Sequence, residues 1–212
     1  MCPVISKIVS AAELVPLFST PVFKSTCSCT VSEDVIRAQT YEAYPDGTGY
    51  SSQNTKILLS KPFKDLRNEI EEHLKVYVFD TLKVGQGKIV HTQSWINLHR
   101  PGNYSPKHFH SNSCYSGIVY LKVPPNGGGI IFSKPHTAMN IISPTHSEMN
   151  IFNSERWGFD VEDGDIFLFP SHLIHSTDIN HSEDDRFCLA FNYFLEGTLG
   201  QHTGQVTLRI KS

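Results

Sequence analysis

No apolar run in this sequence approaches the ~18 residues that a membrane-spanning helix requires. The N-terminus lacks the basic stretch and apolar core of a secretory leader. Positive charge is not in excess: 18 Lys and Arg face 21 Asp and Glu. Nucleic acid and anionic membrane surfaces are therefore not expected partners. Charged residues are only 18% of the chain, below the usual quarter, which argues against a disordered or coiled protein. Cysteine is sparse and odd in number, at Cys2, Cys27, Cys29, Cys114 and Cys188. No disulfide framework is expected, and a reduced, cytoplasmic compartment is the natural reading. Cys27-x-Cys29 has no second pair, so it hints only weakly at a metal or redox role. Ser171 and His175 lie in no G-x-S-x-G elbow, which excludes that hydrolase chemistry. Gly127-Gly-Gly129 lacks the Lys-Ser/Thr of a phosphate loop and reads as a tight turn. Internal repeats, low-complexity tracts and an interdomain linker are also missing.

What remains is one domain over residues 1–212, large enough to build its own core. The first 30 residues read as extended, with Pro21 suiting an edge strand. Thr30 and Glu33 have capping-box spacing, which predicts a helix to about Tyr44. Ser60 and Pro62 open a second helix, whose Phe63, Leu66, Ile70, Leu74 and Tyr77 recur on one face. From Lys88 the period shortens. Strands are expected at 89–99, 117–123, 129–133, 149–152, 158–161, 165–169, 186–194 and 205–210. The expected fold is mainly β (α+β), with helical support over 30–85 packed on one side of a barrel core over 88–210. Edge strands make a homodimer plausible. The irregular stretch 134–157 suits a lid or binding loop.

The chemistry concentrates in Gly102–Gly117, around His108-Phe-His110. In a strand, residues i and i+2 share a face, so two imidazoles sit one pleat apart. A third histidine, His175, ends Gly164-Asp-Ile-Phe-Leu-Phe-Pro-Ser-His-Leu-Ile-His. These three read as one metal site. The remaining His73, His91, His136, His146, His181 and His202 read as surface or capping residues. His99 and Arg100 lie near the site mouth, where contact with an anion and a surface role are equally open. Trp95 reads as core and Trp157 as a wall of the substrate pocket.

Gly102-x5-His108-x-His110, then Gly164-x4-Phe169-Pro170-x4-His175, then Arg186, resembles the double-stranded β-helix oxygenases that use Fe(II) and 2-oxoglutarate, in their prolyl-hydroxylase-like branch. Leu17-Phe-Ser-Thr-Pro21, Trp95-Ile-Asn97 and Ser116-Gly-Ile-Val-Tyr-Leu121 look like a small family of such oxygenases from bacteria and marine phages. The resemblance implies a jelly-roll, cupin-like barrel. It implies iron on His108, His110 and His175, and 2-oxoglutarate held by Arg186 and Tyr120. It further implies hydroxylation with O₂ of an unidentified substrate, with Zn or Ni as stand-ins on purification. Asn97, Tyr104, Cys114, Trp157, Cys188 and Asn192 are the candidates for substrate contact or for support behind the ligands. A dicarboxylate suits the fixed two-pronged fork of an arginine.

His110 departs from the pattern, because the usual triad is two histidines and a carboxylate. Three readings follow: a working three-histidine site, completion by Asp178 or Asn112, or metal binding without oxygenase activity. Cys114 is also a candidate soft ligand. A cupin pattern, G-x5-H-x-H-x3–4-E, fits nearly as well, with Cys114 at its glutamate. The second cupin motif is matched by Gly164, Pro170 and His175, with His172 in place of a glycine and Asn180 one residue late. A cupin-type metal enzyme without 2-oxoglutarate is thus the alternative. Arg186, Tyr120 and the helical N-terminal part favour the oxygenases.

Overall fold

Apolar residues on both faces of the central strands dictate a sheet covered from two sides. The structure, a computed structural model, describes residues 15–134 and 144–210. Eight strands form the larger sheet in the order β1-β8-β5-β10-β4-β3-β2, with β11 on the far end of β10. These are β1 (Phe23–Thr26), β2 (Tyr41–Ala43), β3 (Tyr50–Ser52), β4 (Lys88–His99), β5 (Tyr115–Lys122), β8 (Asp165–Pro170), β10 (Arg186–Leu199) and β11 (Val206–Leu208). A second sheet has the order β7-β6-β9, from β7 (Arg156–Phe159), β6 (Ile130–Ser133) and β9 (His175–Thr177). All named strand pairs are antiparallel.

Two apolar clusters sit on the two sides of the larger sheet. Outside it, α2 (Lys64–Lys75) lays Leu66, Ile70 and Leu74 against Ile96, Leu98, Val119, Leu168, Leu189 and Phe191. The helical stripe expected from Phe63 to Tyr77 is buried throughout. Between the sheets, Ile118, Tyr120, Ile130, Phe132, Phe167, Phe169, Leu173 and Cys188 form the inner cluster. No helix among the described residues is long and apolar enough to cross a membrane.

Gly117 shows how tightly the outer cluster is packed. A Cβ added there would lie 2.4 Å from Phe191 Cζ and 2.7 Å from Leu168 Cδ2, both on fully buried side chains. Gly117→Ala is expected to lower stability by ~1–3 kcal/mol, the usual range for overpacking, as read by chemical denaturation.

Several expected elements differ. The first helix, α1 (Glu33–Arg37), is only five residues long and is preceded by Ser32, with no side-chain cap from Thr30. Gln39 Nε2 donates to Val35 O and Tyr41 Oη to Ile36 O, so side chains take the carbonyls that a longer helix would use. The chain then turns into β2, and helical support over 30–85 is sparser than expected. Ser60 makes no side-chain cap and precedes a 3₁₀ turn (Lys61–Phe63) before α2 begins. A π-helical turn (Val76–Thr81) ends that region. Residues 149–152 form a turn rather than a strand. The Asn150 carboxamide accepts from Phe152 N at 2.8 Å, while Met149 and Ile151 are left exposed. His136 and part of the 134–157 loop lie outside the described residues.

Candidate metal centre

Backbone pairing builds the site. His108 N donates to His175 O and His175 N donates to His108 O, each at 2.9 Å, so the two residues stand directly opposite each other. Two residues on, His110 N donates to Ser171 O at 2.9 Å. The His-x-His segment is thereby zipped onto the segment leading into β9. The ring of His175 lies 4.3 Å from that of His108 and 5.1 Å from that of His110, between centroids. One nitrogen from each of the three lies within 4.8 Å of the others.

Hydrogen bonds fix which nitrogen faces inward. His108 Nδ1 meets Pro106 O at 2.8 Å, His175 Nδ1 meets Leu173 O at 2.8 Å and His110 Nδ1 meets Asn192 Oδ1 at 2.7 Å. Each of those oxygens only accepts, so each Nδ1 carries the proton and each Nε2 presents a lone pair. His110 Nε2 and His175 Nε2 stand 3.2 Å apart. Two lone pairs at that distance repel unless a cation lies between them. Burial, reinforced by the neighbouring His108, pushes the His110 imidazole down to about 4 and that of His175 to about 3. Both are therefore neutral, as ligands must be, near pH 7.

Asn192 holds His110 from behind. Its Oδ1 also accepts from Ser116 Oγ at 2.7 Å, and Ser116 meets Ser171 at 2.8 Å. A β-bulge at Asn192/Tyr193 lies beside it. Trp95 stacks on His110 with centroids 5.6 Å apart and planes at 24°. Trp95 is thus half-buried in the wall of a cavity of about 480 Å³ rather than in the core, and its Nε1 donates to Asn97 Oδ1 at 2.9 Å. Tyr44, Asn97, Ser105, Ile118, Ile130, Phe169 and Thr177 line the same cavity, along with all three histidines.

Arg186 is fully buried at the inner end of β10, aligned with His99 on β4. Its Nη1 donates to Gly127 O and to Asp178 O, and its Nη2 to His99 Nδ1 and Thr177 Oγ1, the last two at 3.0 Å. Only Nε has no partner among the described residues. The two-pronged grip expected of this arginine is already committed to protein. One N–H remains. The Tyr120 hydroxyl is likewise buried with no partner. Gly128, at φ +75°, lets the loop approach, since a Cβ there would lie 2.9 Å from Arg186 Nη1. The glycine turn therefore cradles the guanidinium, a use its sequence did not disclose.

His99 is fully buried, which corrects the surface alternative. Burial and the adjacent Arg186 charge push its pKa well below the usual histidine value. Because Arg186 can only donate, His99 Nδ1 accepts, and Nε2–H donates to Ser105 Oγ at 2.9 Å. Ser105 in turn meets Tyr44 Oη, which donates to Asn97 Oδ1. Thr177 Oγ1 accepts from Ser105 N and from Arg186, so its own proton is free to point into the cavity. Sequence reading missed Tyr44, Ser105 and Thr177. For Thr177, its i+2 spacing from His175 was a usable signal.

Other candidates fall away. Asp178 is exposed and not among the clustered donors, so it does not complete the site, and Asn112 is exposed. Cys114 is half-buried and not among the clustered donors. Cys188 belongs to the inner apolar cluster. Tyr104 is half-buried and does not line the cavity. Trp157, 40% exposed on β7, lines a separate surface groove with Phe18 and Phe152. His91 is buried against Ser94 and His73 is half-buried, so neither is a surface residue.

Residues 93–192, which hold every residue of this cluster, match the model of a family described as "Putative 2OG-Fe(II) oxygenase". No curated protein sequence matches the chain. Among solved structures, a Pseudomonas putida prolyl-4-hydroxylase superposes with a TM-score of 0.55 at 11% identity, over 84% of this chain and 95% of its own. The 2-oxoglutarate-dependent carbocyclase SnoK of nogalamycin biosynthesis gives 0.57 at 12% identity, over 84% and 81%. HygX from Streptomyces hygroscopicus, solved with nickel, 2-oxoglutarate and hygromycin B, gives 0.53 at 16% identity, over 82% and 83%. These likenesses establish the double-stranded β-helix fold.

Proposed function

We propose that this chain, whose residues 93–192 match the model of a 2OG-Fe(II) oxygenase family, is a hydroxylase of the 2-oxoglutarate/Fe(II)-dependent kind whose iron is held by three histidines. The observation that carries the reading is the convergence of three Nε2 lone pairs, each locked by a proton on the opposite ring nitrogen. His108, His110 and His175 would hold Fe(II) at the wall of the cavity that all three line. Tyr120 Oη and Arg186 Nε, buried donors without partners among the described residues, are the groups left to hold the distal carboxylate of 2-oxoglutarate, although neither side chain lines the cavity. Thr177 adds a hydroxyl proton. Bound iron with 2-oxoglutarate and O₂ supplies the oxidative chemistry, releasing succinate and CO₂ and hydroxylating a C–H bond. The protein orients the cosubstrate, and the stacked Trp95 and apolar Ile118, Ile130 and Phe169 keep water from the reacting face.

Residues 1–212 act as one domain in this reading. The four described cysteines are all free, which supports a reduced cytoplasmic location. The substrate reaches the metal past Tyr44, Pro45, Asp46 and Thr55. A three-histidine metal enzyme that does not use 2-oxoglutarate is the second reading, favoured by the commitment of four Arg186 donors to protein.

Tyr120→Phe tests where 2-oxoglutarate is held. It removes a hydroxyl that has no partner, so stability should hold or rise slightly. The KM for 2-oxoglutarate should rise ~10-fold, the value of one lost hydrogen bond of about 1.4 kcal/mol. Succinate formation measured on Fe(II)-loaded protein gives the readout. An unchanged KM would mean that Tyr120 does not hold the cosubstrate, and no succinate from 2-oxoglutarate in the wild type would favour the second reading.

A further inference from the structure

A second cluster of metal-binding side chains lies about the outer face of the larger sheet, apart from the three histidines. Cys27 follows β1 and is buried at 5% exposure. Glu69 and His73 stand one turn apart on α2, so they share a face. The Cys27 thiol, a Glu69 oxygen and a His73 ring nitrogen all lie within 4.8 Å of one another. His73 Nε2 is buried and has no hydrogen-bond partner among the described residues.

Glu69 has an evident structural role of its own. Its Oε1 accepts from Ser28 N at 2.7 Å and Ser28 Oγ at 2.9 Å, and its Oε2 accepts from Cys29 N at 2.7 Å. Burial opposes its ionisation, but these donors outweigh it and hold the carboxyl down to about 2. The Cys29 thiol also donates to this carboxylate, so its roughly four acceptor positions are taken and a metal would displace that weak S–H donor. That role explains neither the buried, unpartnered Nε2 of His73 nor the placing of a buried thiol beside it. A leftover nitrogen, a thiol and a fixed carboxylate oxygen at one point make a donor set of borderline softness, of the kind zinc takes.

We propose that Cys27, Glu69 and His73 form a second metal site, for Zn²⁺, with solvent at the fourth position. It binds as the thiolate–imidazole–carboxylate complex, the thiol proton leaving to solvent as the metal enters. The site staples the end of β1 to α2. Because β1 pairs with β8, whose chain runs on to β9 and His175, zinc here stiffens the edge of the larger sheet from which the chain leads into the iron site. This inference is independent of the oxygenase reading, since none of its residues belongs to the histidine cavity.

Co²⁺ titration of the metal-free full-length chain tests it, because a thiolate ligand gives a near-ultraviolet charge-transfer band that three imidazoles cannot. The wild type should bind two equivalents, one of them with that band. Cys27→Ser should remove the band and one equivalent and leave the other. His73→Gln, on a half-buried helical position that tolerates the change, should weaken the banded equivalent at least ~10-fold. Zn²⁺ should raise the Tm of the wild type by more than that of His73→Gln, which keeps only the three-histidine site. The absence of the band, an unaltered band in His73→Gln, or a band lost only in Cys114→Ser would each overturn the proposal, whereas a single equivalent that carries the band would count against the three-histidine site instead.

Discussion

His175→Ala should weaken iron binding by more than about 100-fold and abolish succinate formation. Loss of an outer partner of a metal ligand typically costs ~10–100-fold, and His175 is itself a proposed ligand. It is also the most enclosed of the three, at 6% exposure, and shares close ring contacts with both others. The backbone bridge to His108 does not depend on its side chain, so the strand pairing survives the substitution. Iron affinity by competition with a chelator, alongside the denaturation midpoint, separates loss of the site from loss of the fold. Iron binding within a few fold of wild type in folded His175→Ala protein would refute the ligand assignment.

Asn192→Leu should have the next largest effect. It removes the acceptor that keeps the proton on His110 Nδ1. The imidazole is then free to carry its proton on Nε2, where it cannot bind metal. Loss of iron affinity of ~10–100-fold follows. The change also removes one of the two partners of the Ser116 hydroxyl, leaving Ser171, so some stability is lost with it. Asn192→Asp keeps an acceptor and supplies, one residue behind the metal, the negative charge that His110 withholds. It should restore iron binding or exceed that of wild type, and lower the Fe(III)/Fe(II) potential. A merely structural role for Asn192 would leave that potential unmoved. Equal iron affinity in all three proteins would mean that His110 is not a ligand.

The site was legible in the sequence to the extent that its chemistry is local. His108 and His110 announce a shared face by their spacing, and the Phe169-Pro170 approach to His175 marks the matching strand end. Arg186 was found by its distance from His175, but not its surroundings. A count along the chain cannot tell that Gly127 O, Asp178 O, His99 and Thr177 already hold the guanidinium. Trp95, Asn97 and His99 alternate on β4 and face the barrel interior, yet Ile96 and Leu98 on the other face are just as buried beneath α2. With both faces covered, period two does not separate cavity wall from core. Tyr44 was missed because a capping-box spacing suggested a longer helix, which Gln39 and Tyr41 cut short by taking the carbonyls at its end. The larger architecture was readable because helical and strand periods are each consistent over long stretches, as in the stripe from Phe63 to Tyr77 and in β8.

The most direct test of the three-histidine oxygenase is anaerobic calorimetry of 2-oxoglutarate against Fe(II)-loaded protein, followed by admission of air and assay of succinate. The account predicts binding at one equivalent that requires the metal, and succinate formation that is lost in His175→Ala. No heat at millimolar 2-oxoglutarate, with iron shown to be bound, would contradict it.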